Sequence, residues 1–171
     1  GKRRIRCLKA LGMVDIIGYD PREDRRNEVS QKYEVKCYDD FNTALRDFKP
    51  DAFIISVSPD KHAFYIDCAI RNKIHFFVEA SVLNDGMLDS IEALRKVDIV
   101  AAPSATLYFH PAIQLIDSIV KSGELGKLSN ILLHSGQYLP DWHTYEHVSD
   151  YYVSKRATGG GREIVPFELS W

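Results

Sequence analysis

Val14-Asp15-Ile16-Ile17-Gly18-Tyr19-Asp20-Pro21 is the stretch from which the fold is read. Its β-branched and aromatic residues, ending on Asp-Pro, predict a short buried strand over residues 14–19 closed by a turn at Asp20. Before it, residues 1–11 carry Leu8 and Leu11 at helical spacing and stop at Gly12, suited to the left-handed position that ends helices. After it the alternation repeats. Residues 22–32 read as a polar helix, 34–38 as a strand, and 41–48 as a helix capped by Asp39 or Asp40. Residues 51–57 form an apolar, β-rich run, and Ser58-Pro59-Asp60 opens a helix through Ala63, Ile66, Ala69 and Ile70. A strand at 74–78, a helix through Leu88, Ile91 and Leu94, and a strand at 97–101 follow. Strands alternating with helices are βαβ units, hence an α/β fold: a doubly wound parallel sheet with helices on both faces.

Composition agrees with a packed globular chain. The 171 residues are 45% hydrophobic and 27% charged, with 22 Lys+Arg against 24 Asp+Glu for a formal charge of −2. That balance argues against disorder, and without a basic stripe nucleic acid is not an expected partner. Cys7, Cys37 and Cys68 are odd in number and form no CxxC pair, which argues against a disulfide framework or cysteine-zinc site and fits a reducing cytoplasmic compartment. The apolar runs fall short of the roughly 20 residues of a membrane helix, so no membrane partner is expected.

The texture changes near Asn130. Residues 131–139 predict a long strand of a different sheet, fed by a helix at 112–121 and a turn containing Gly123 and Gly126. Beyond lie a polar, aromatic loop at 140–158 and the triplet Gly159-Gly160-Gly161. The division is therefore a first α/β domain over residues 1–103 and the beginning of an α+β domain over 104–171.

Parallel sheets bind ligands beyond the carboxyl ends of their strands, which directs attention to Asp20, residues 57–62, Glu79 and the turn at 108–111. A dinucleotide site needs a glycine-rich turn opening a helix and an acidic residue about twenty residues on. Gly1 opens the first helix and Asp20 follows nineteen residues later, although Asp-Pro is equally a plain strand-ending turn. His62 reads as a polar first-turn residue, His75 as a satisfied core histidine, and His110 as shaping the turn into the next helix. The run Lys2-Arg3-Arg4-Arg6 reads as a solvated helix face, with a positive end near a pyrophosphate as the functional alternative.

Taken in order, Gly1-Lys2-Arg3-Arg4, Ile17-Gly18-Tyr19-Asp20, Val57-Ser58-Pro59-Asp60-Lys61-His62, Val78-Glu79-Ala80-Ser81, Phe109-His110-Pro111-Ala112-Ile113 and Gly123-Glu124-Leu125-Gly126-Lys127 resemble the Gfo/Idh/MocA family of NAD(P)-dependent sugar oxidoreductases. The stretch Gly136-Gln137-Tyr138-Leu139-Pro140-Asp141-Trp142-His143 resembles its branch associated with surface-sugar biosynthesis. The resemblance implies a Rossmann domain, then a substrate domain that often carries the oligomer contact, giving a homo-oligomer in the full-length protein. It implies NAD or NADP as cofactor and a sugar or nucleotide sugar as substrate. Gly1 would be the third glycine of the phosphate-binding turn, Asp20 the adenosine-ribose ligand, and Arg22 a partner for a 2′-phosphate. Val57, Ser58, Pro59 and His62 would pass the nicotinamide side, and Glu79 would be the acid of the family's Glu-Lys-Pro turn. On this reading the chain is truncated at both ends: the first strand of the 3-2-1-4-5-6 order is missing, leaving an open slot, and the 131–139 strand is left as an exposed edge.

The sequence also departs from that pattern. Ala80 stands where the family has the lysine that would hydrogen-bond the reacting hydroxyl, and no histidine follows the glycine triplet as proton acceptor. Glu163 or Glu168 are the substitutes, against the ordinary reading of a solvated carboxylate, and His143 is placed to reach a sugar. The expected catalytic set is thus Glu79, Glu163 and His143, with impaired activity; a catalytically inactive nucleotide-binding relative is the alternative. His143-Thr144-Tyr145-Glu146-His147 also matches the H-x-x-E-H pattern of zinc hydrolases. That chemistry needs a helix to bring both histidines to one face, whereas Pro140 and the surrounding polar residues favour a loop, so no metal is expected.

Overall fold

The structure, a computed structural model, describes residues 1–80, 86–136, 138–142 and 144–158. Its order is α1 (Lys2–Ala10), β1 (Ile17–Tyr19), α2 (Glu23–Tyr33), β2 (Lys36–Tyr38), α3 (Phe41–Phe48), β3 (Ala52–Ile55), α4 (His62–Asn72), β4 (His75–Val78), α5 (Met87–Leu94), β5 (Ala101–Pro103), α6 (Pro111–Ser122) and a single turn, α7 (Leu139–Trp142). All strand pairs among the described residues are parallel. Among the described residues β1 pairs with β2 alone, Gly18 opposite Cys37, while β3, β4 and β5 form a second sheet in that order, Phe53 opposite Phe76 and Phe76 opposite Ala101. The arrangement is a doubly wound α/β sheet in which no strand among the described residues lies between β1 and β3.

The core sits on the second sheet. Ile55, Ile66, Ala69, Ile70, Ile74 and Phe76 are buried together, with Phe53, Val78, Leu94, Val97 and Ile99 packed around them. Each large apolar side chain so buried contributes about 1.5–3 kcal/mol. An aromatic group joins the two sheets across α3 and α4: Phe41 lies 5.5 Å from Tyr19 of β1, 5.8 Å from Phe53 of β3 and 5.0 Å from Tyr65 of α4. Gly18 is required for the close approach of β1 and β2, because a Cβ there would lie 2.9 Å from the Cys37 sulfur.

Local signals explain most boundaries. Asp40 caps α3 by accepting from the Thr43 N–H at 2.7 Å, and Gly12 takes a φ of +81° just after α1. β1 is shorter than the predicted 14–19, since Val14 is 86% exposed and only 17–19 find partners. The last strand falls at Ala101–Pro103 instead of 97–101: Val97 and Ile99 pack against the core. His75 is satisfied as expected, its Nδ1 accepting from the Val100 N–H at 2.9 Å, yet it is exposed and not in the core.

The larger correction concerns residues 131–139. Residues 130–136 pair with no strand among the described residues, and Ile131 and Leu132 are 77% and 91% exposed. A strand exists through its ladder partners, and an apolar sequence without them forms none. Gln137 lies outside the described residues. Among the described residues, no helix is long and apolar enough to cross a membrane. Cys7, Cys37 and Cys68 are free thiols.

Candidate functional site

The carboxyl ends of β1, β3 and β4 deliver Asp20, the 56–62 loop and Glu79, and α1 begins beside them: Gly1 is within electrostatic reach of both Asp20 and Glu79. Gly1 caps α1, its carbonyl accepting from the Arg4 and Ile5 N–H groups. A Cβ at Gly1 would meet no described atom within 4 Å, so the described residues place no steric demand for glycine there.

Around Glu79 the geometry is that of a clamp. Arg4 reaches across from α1 and donates from Nε and Nη2 to the two carboxylate oxygens at 2.6 and 2.7 Å. Its Nη2 also reaches Ser104 Oγ at 3.3 Å, beyond β5, and its guanidinium stacks 4.5 Å from the Phe77 ring centroid. Ser56 Oγ donates to Glu79 at 3.3 Å, and the Glu79 N–H bonds the Ile55 carbonyl. Burial raises the Glu79 pKa, but the Arg4 hydrogen bonds and charge outweigh it and hold the carboxyl below its ordinary value. Glu79 is therefore an anion fully engaged by its neighbours, which suits holding the β4 turn and does not suit accepting a proton. Arg4 belongs to this clamp, contrary to its expected place on a solvated face. Neither Ser56 nor Ser104 was singled out in the sequence.

In the 56–62 loop, Pro59 starts a 3₁₀ turn and is buried, and His62 begins α4 almost wholly buried at 3% exposure. His62 Nε2 donates to the Val57 carbonyl at 3.0 Å, pinning the loop to the helix. Burial lowers the His62 pKa, opposed by the Val57 carbonyl, Glu79 and Asp60. His62 thus sits in the first turn of α4 as read from the sequence, and its burial and its bond to Val57 make it an internal brace.

At β1 the Asp20 carboxylate accepts from the Arg22 N–H at 2.9 Å and stays half-exposed, with Arg25 Nη1 at 4.0 Å. Arg26 donates to the carbonyls of Asp20 and Pro21. Arg22 is bidentate to Asp24 at 2.6 and 3.1 Å. The 144–158 segment folds back here, and Glu146 accepts from Arg25 at 2.6 Å with Arg22 at 3.9 Å. Residues 144–146 form a turn and a bend ahead of the 3₁₀ turn at Val148–Asp150, so residues 144–147 are loop and not helix. His147 caps that turn through Nδ1. No cluster able to hold a metal occurs among the described residues. His143, Glu163 and Glu168 lie outside the described residues. His110 does what its turn reading predicts, accepting from the Ala112 N–H at the start of α6.

An acidic residue closing β1 and polar loops at the ends of β3 and β4 define a Rossmann-type domain. Residues 9–85 match the family model described as "Oxidoreductase family, NAD-binding Rossmann fold", GFO_IDH_MocA. Over this segment the chain is similar to the Gfo/Idh/MocA oxidoreductases. It is 29% identical over 111 residues to the myo-inositol 2-dehydrogenase of Thermotoga maritima, covering 63% of this chain and 33% of that protein. A probable dehydrogenase from Thermotoga maritima superimposes with a TM-score of 0.60 at 28% identity, over 72% of this chain and 39% of the other. The WlbA dehydrogenase from Bordetella pertussis, solved with NADH and UDP-GlcNAcA, shares the fold at a TM-score of 0.64 and 13% identity, over 74% of this chain and 40% of the other. The chain thus spans about a third of the length of its curated relative.

Proposed function

We propose that this chain supplies the cofactor-binding part of an NAD(P)-dependent oxidoreductase acting on a sugar or nucleotide sugar. The observation that carries this reading is the half-exposed Asp20 carboxylate at the end of β1, in a segment matching an NAD-binding Rossmann family. A carboxylate at that point accepts hydrogen bonds from both ribose hydroxyls. The donor set fits a dinucleotide: Asp20 for the adenosine ribose, Arg22 and Arg25 at its rim, and residues 57–62 along the nicotinamide side. When bound, the nicotinamide supplies hydride chemistry at a sugar carbon. The protein's part is to hold the 79–80 turn and the 57–62 loop in place, which the Arg4–Glu79 and His62–Val57 bonds do. The relatives support the substrate class, one being a dehydrogenase of a polyhydroxylated ring and another being solved with a nucleotide sugar.

On this reading residues 104–171 belong to a substrate and oligomerisation domain, for which His143 and Glu163 are the candidate sugar-side residues. The second reading, a binding relative without turnover, is favoured by Ala80 at the lysine position and by the full engagement of Glu79. Calorimetric titration with NAD⁺ and NADP⁺ tests the shared part: binding is expected, with at least a tenfold loss in Asp20→Ala. Absence of binding to the folded chain overturns both readings. Turnover of inositol, sugars and nucleotide sugars, with Ala80→Lys in parallel, separates enzyme from binder.

A further inference from the structure

The arginines at the rim of Asp20 are already occupied by the protein itself. Arg25 donates to Glu146 at 2.6 Å, and Arg22 lies 3.9 Å from the same oxygen. The Glu146 side chain is only 19% exposed, and it arrives from a segment 121 residues further along the chain. Nearby charge balances: the guanidinium groups of Arg22, Arg25 and Arg26 face the carboxylates of Asp20, Asp24 and Glu146. Arg26 is spent on backbone carbonyls and Arg22 is shared with Asp24, so Arg25 is the cation that Glu146 most directly neutralises.

We propose that Glu146 is a specificity-determining residue that acts as an internal counter-anion, occupying the Arg22/Arg25 anion site and thereby turning the pocket toward NAD and against NADP. This deepens, and rests on, the cofactor reading given above. A ribose bearing two hydroxyls needs only Asp20 and leaves the Glu146 bridge intact. A 2′-phosphate brings a dianion to the same rim, where it meets Asp20 and Glu146 and finds the arginines engaged. It binds only by displacing Glu146 from Arg25, which exposes a carboxylate to like charge. A site that lost this carboxylate would free the Arg25 guanidinium to meet a phosphate, with Arg22 still held by Asp24 beside it.

The test uses the isosteric Glu146→Gln, titrated with NAD⁺, NADP⁺ and inorganic phosphate at fixed ionic strength. The expected result is an NADP⁺ affinity raised about tenfold, roughly the effect of removing one close like charge, with NAD⁺ changed less than twofold. Inorganic phosphate affinity rises as well, and adding Arg25→Met to Glu146→Gln cancels both gains. Parallel shifts for NAD⁺ and NADP⁺, or no shift in any titration, overturn the proposal. If the wild-type chain binds neither dinucleotide while Glu146→Gln gains phosphate binding that Arg25→Met removes, the anion site stands and the cofactor reading falls. Circular dichroism of each variant, with Glu146→Asp as the charge-preserving control, separates a lost fold from a lost site; Glu146→Asp is expected to keep the wild-type preference.

Discussion

Arg4 and Glu79, 75 residues apart, meet in a two-bonded ion pair at 2.6 and 2.7 Å that ties the first turn of α1 to the carboxyl end of β4. The pair is partly shielded, at 20% and 34% side-chain exposure. Charge-assisted bonds in such a setting are stronger than surface pairs, whose median is near zero, and weaker than fully buried ones. Arg4→Ala and Glu79→Ala are each expected to lower stability by about 1–2 kcal/mol, with a coupling of about 1 kcal/mol in the double variant. Denaturant titrations of the four proteins check this, and additive losses would show that the two residues do not act together.

Gly18 and Cys37 set the spacing of β1 and β2. A methyl group at 18 would sit 2.9 Å from the Cys37 sulfur, closer than packed atoms approach, while Cys37 Cβ is at 3.9 Å. Gly18→Ala is therefore expected to cost about 1–3 kcal/mol by overpacking, and Gly18→Ala combined with Cys37→Ala to cost much less. Thermal melting of the two proteins decides it: equal losses would place the cause in the backbone and not in the sulfur.

How far the sequence reveals this structure depends on whether the deciding interaction is local. The bounds of α3 were legible because its apolar face and its cap are local, although the choice between Asp39 and Asp40 as cap was left to the structure, which shows Asp40. The βαβ alternation was legible because each strand of a parallel sheet carries its own apolar run. The place of Asp20 directly after β1 was legible because an apolar run closed by Asp-Pro marks a strand end. Residues 131–136 looked like a strand, but pairing is a property of partners and the side chains do not disclose it. Arg4 looked solvated because nothing near it in sequence is acidic; its partner is across the sheet end. Glu146 was noticed only as part of a zinc pattern, and its ion pair with Arg25 needs the 144–158 segment folded back, which no local spacing signals.

His62 makes stability depend on pH. Its ring is buried with its pKa lowered by that burial, while in the unfolded chain it titrates near its ordinary value of about 6.5. Just below that value the unfolded chain holds more protons than the folded one, so stability falls as the solution is acidified. The contribution is complete above about pH 6.5 and is lost as pH drops through the lowered folded-state value. The Nε2–H bond to Val57 survives protonation, since that nitrogen is a donor in either state, so the cost is that of burying charge and not of losing the bond. His62→Gln keeps an amide donor for the carbonyl and cannot titrate. Denaturation midpoints measured from pH 8 to pH 5 are expected to fall more steeply for the wild type than for His62→Gln. Parallel slopes would mean that the histidine is reached by water and protonated in place.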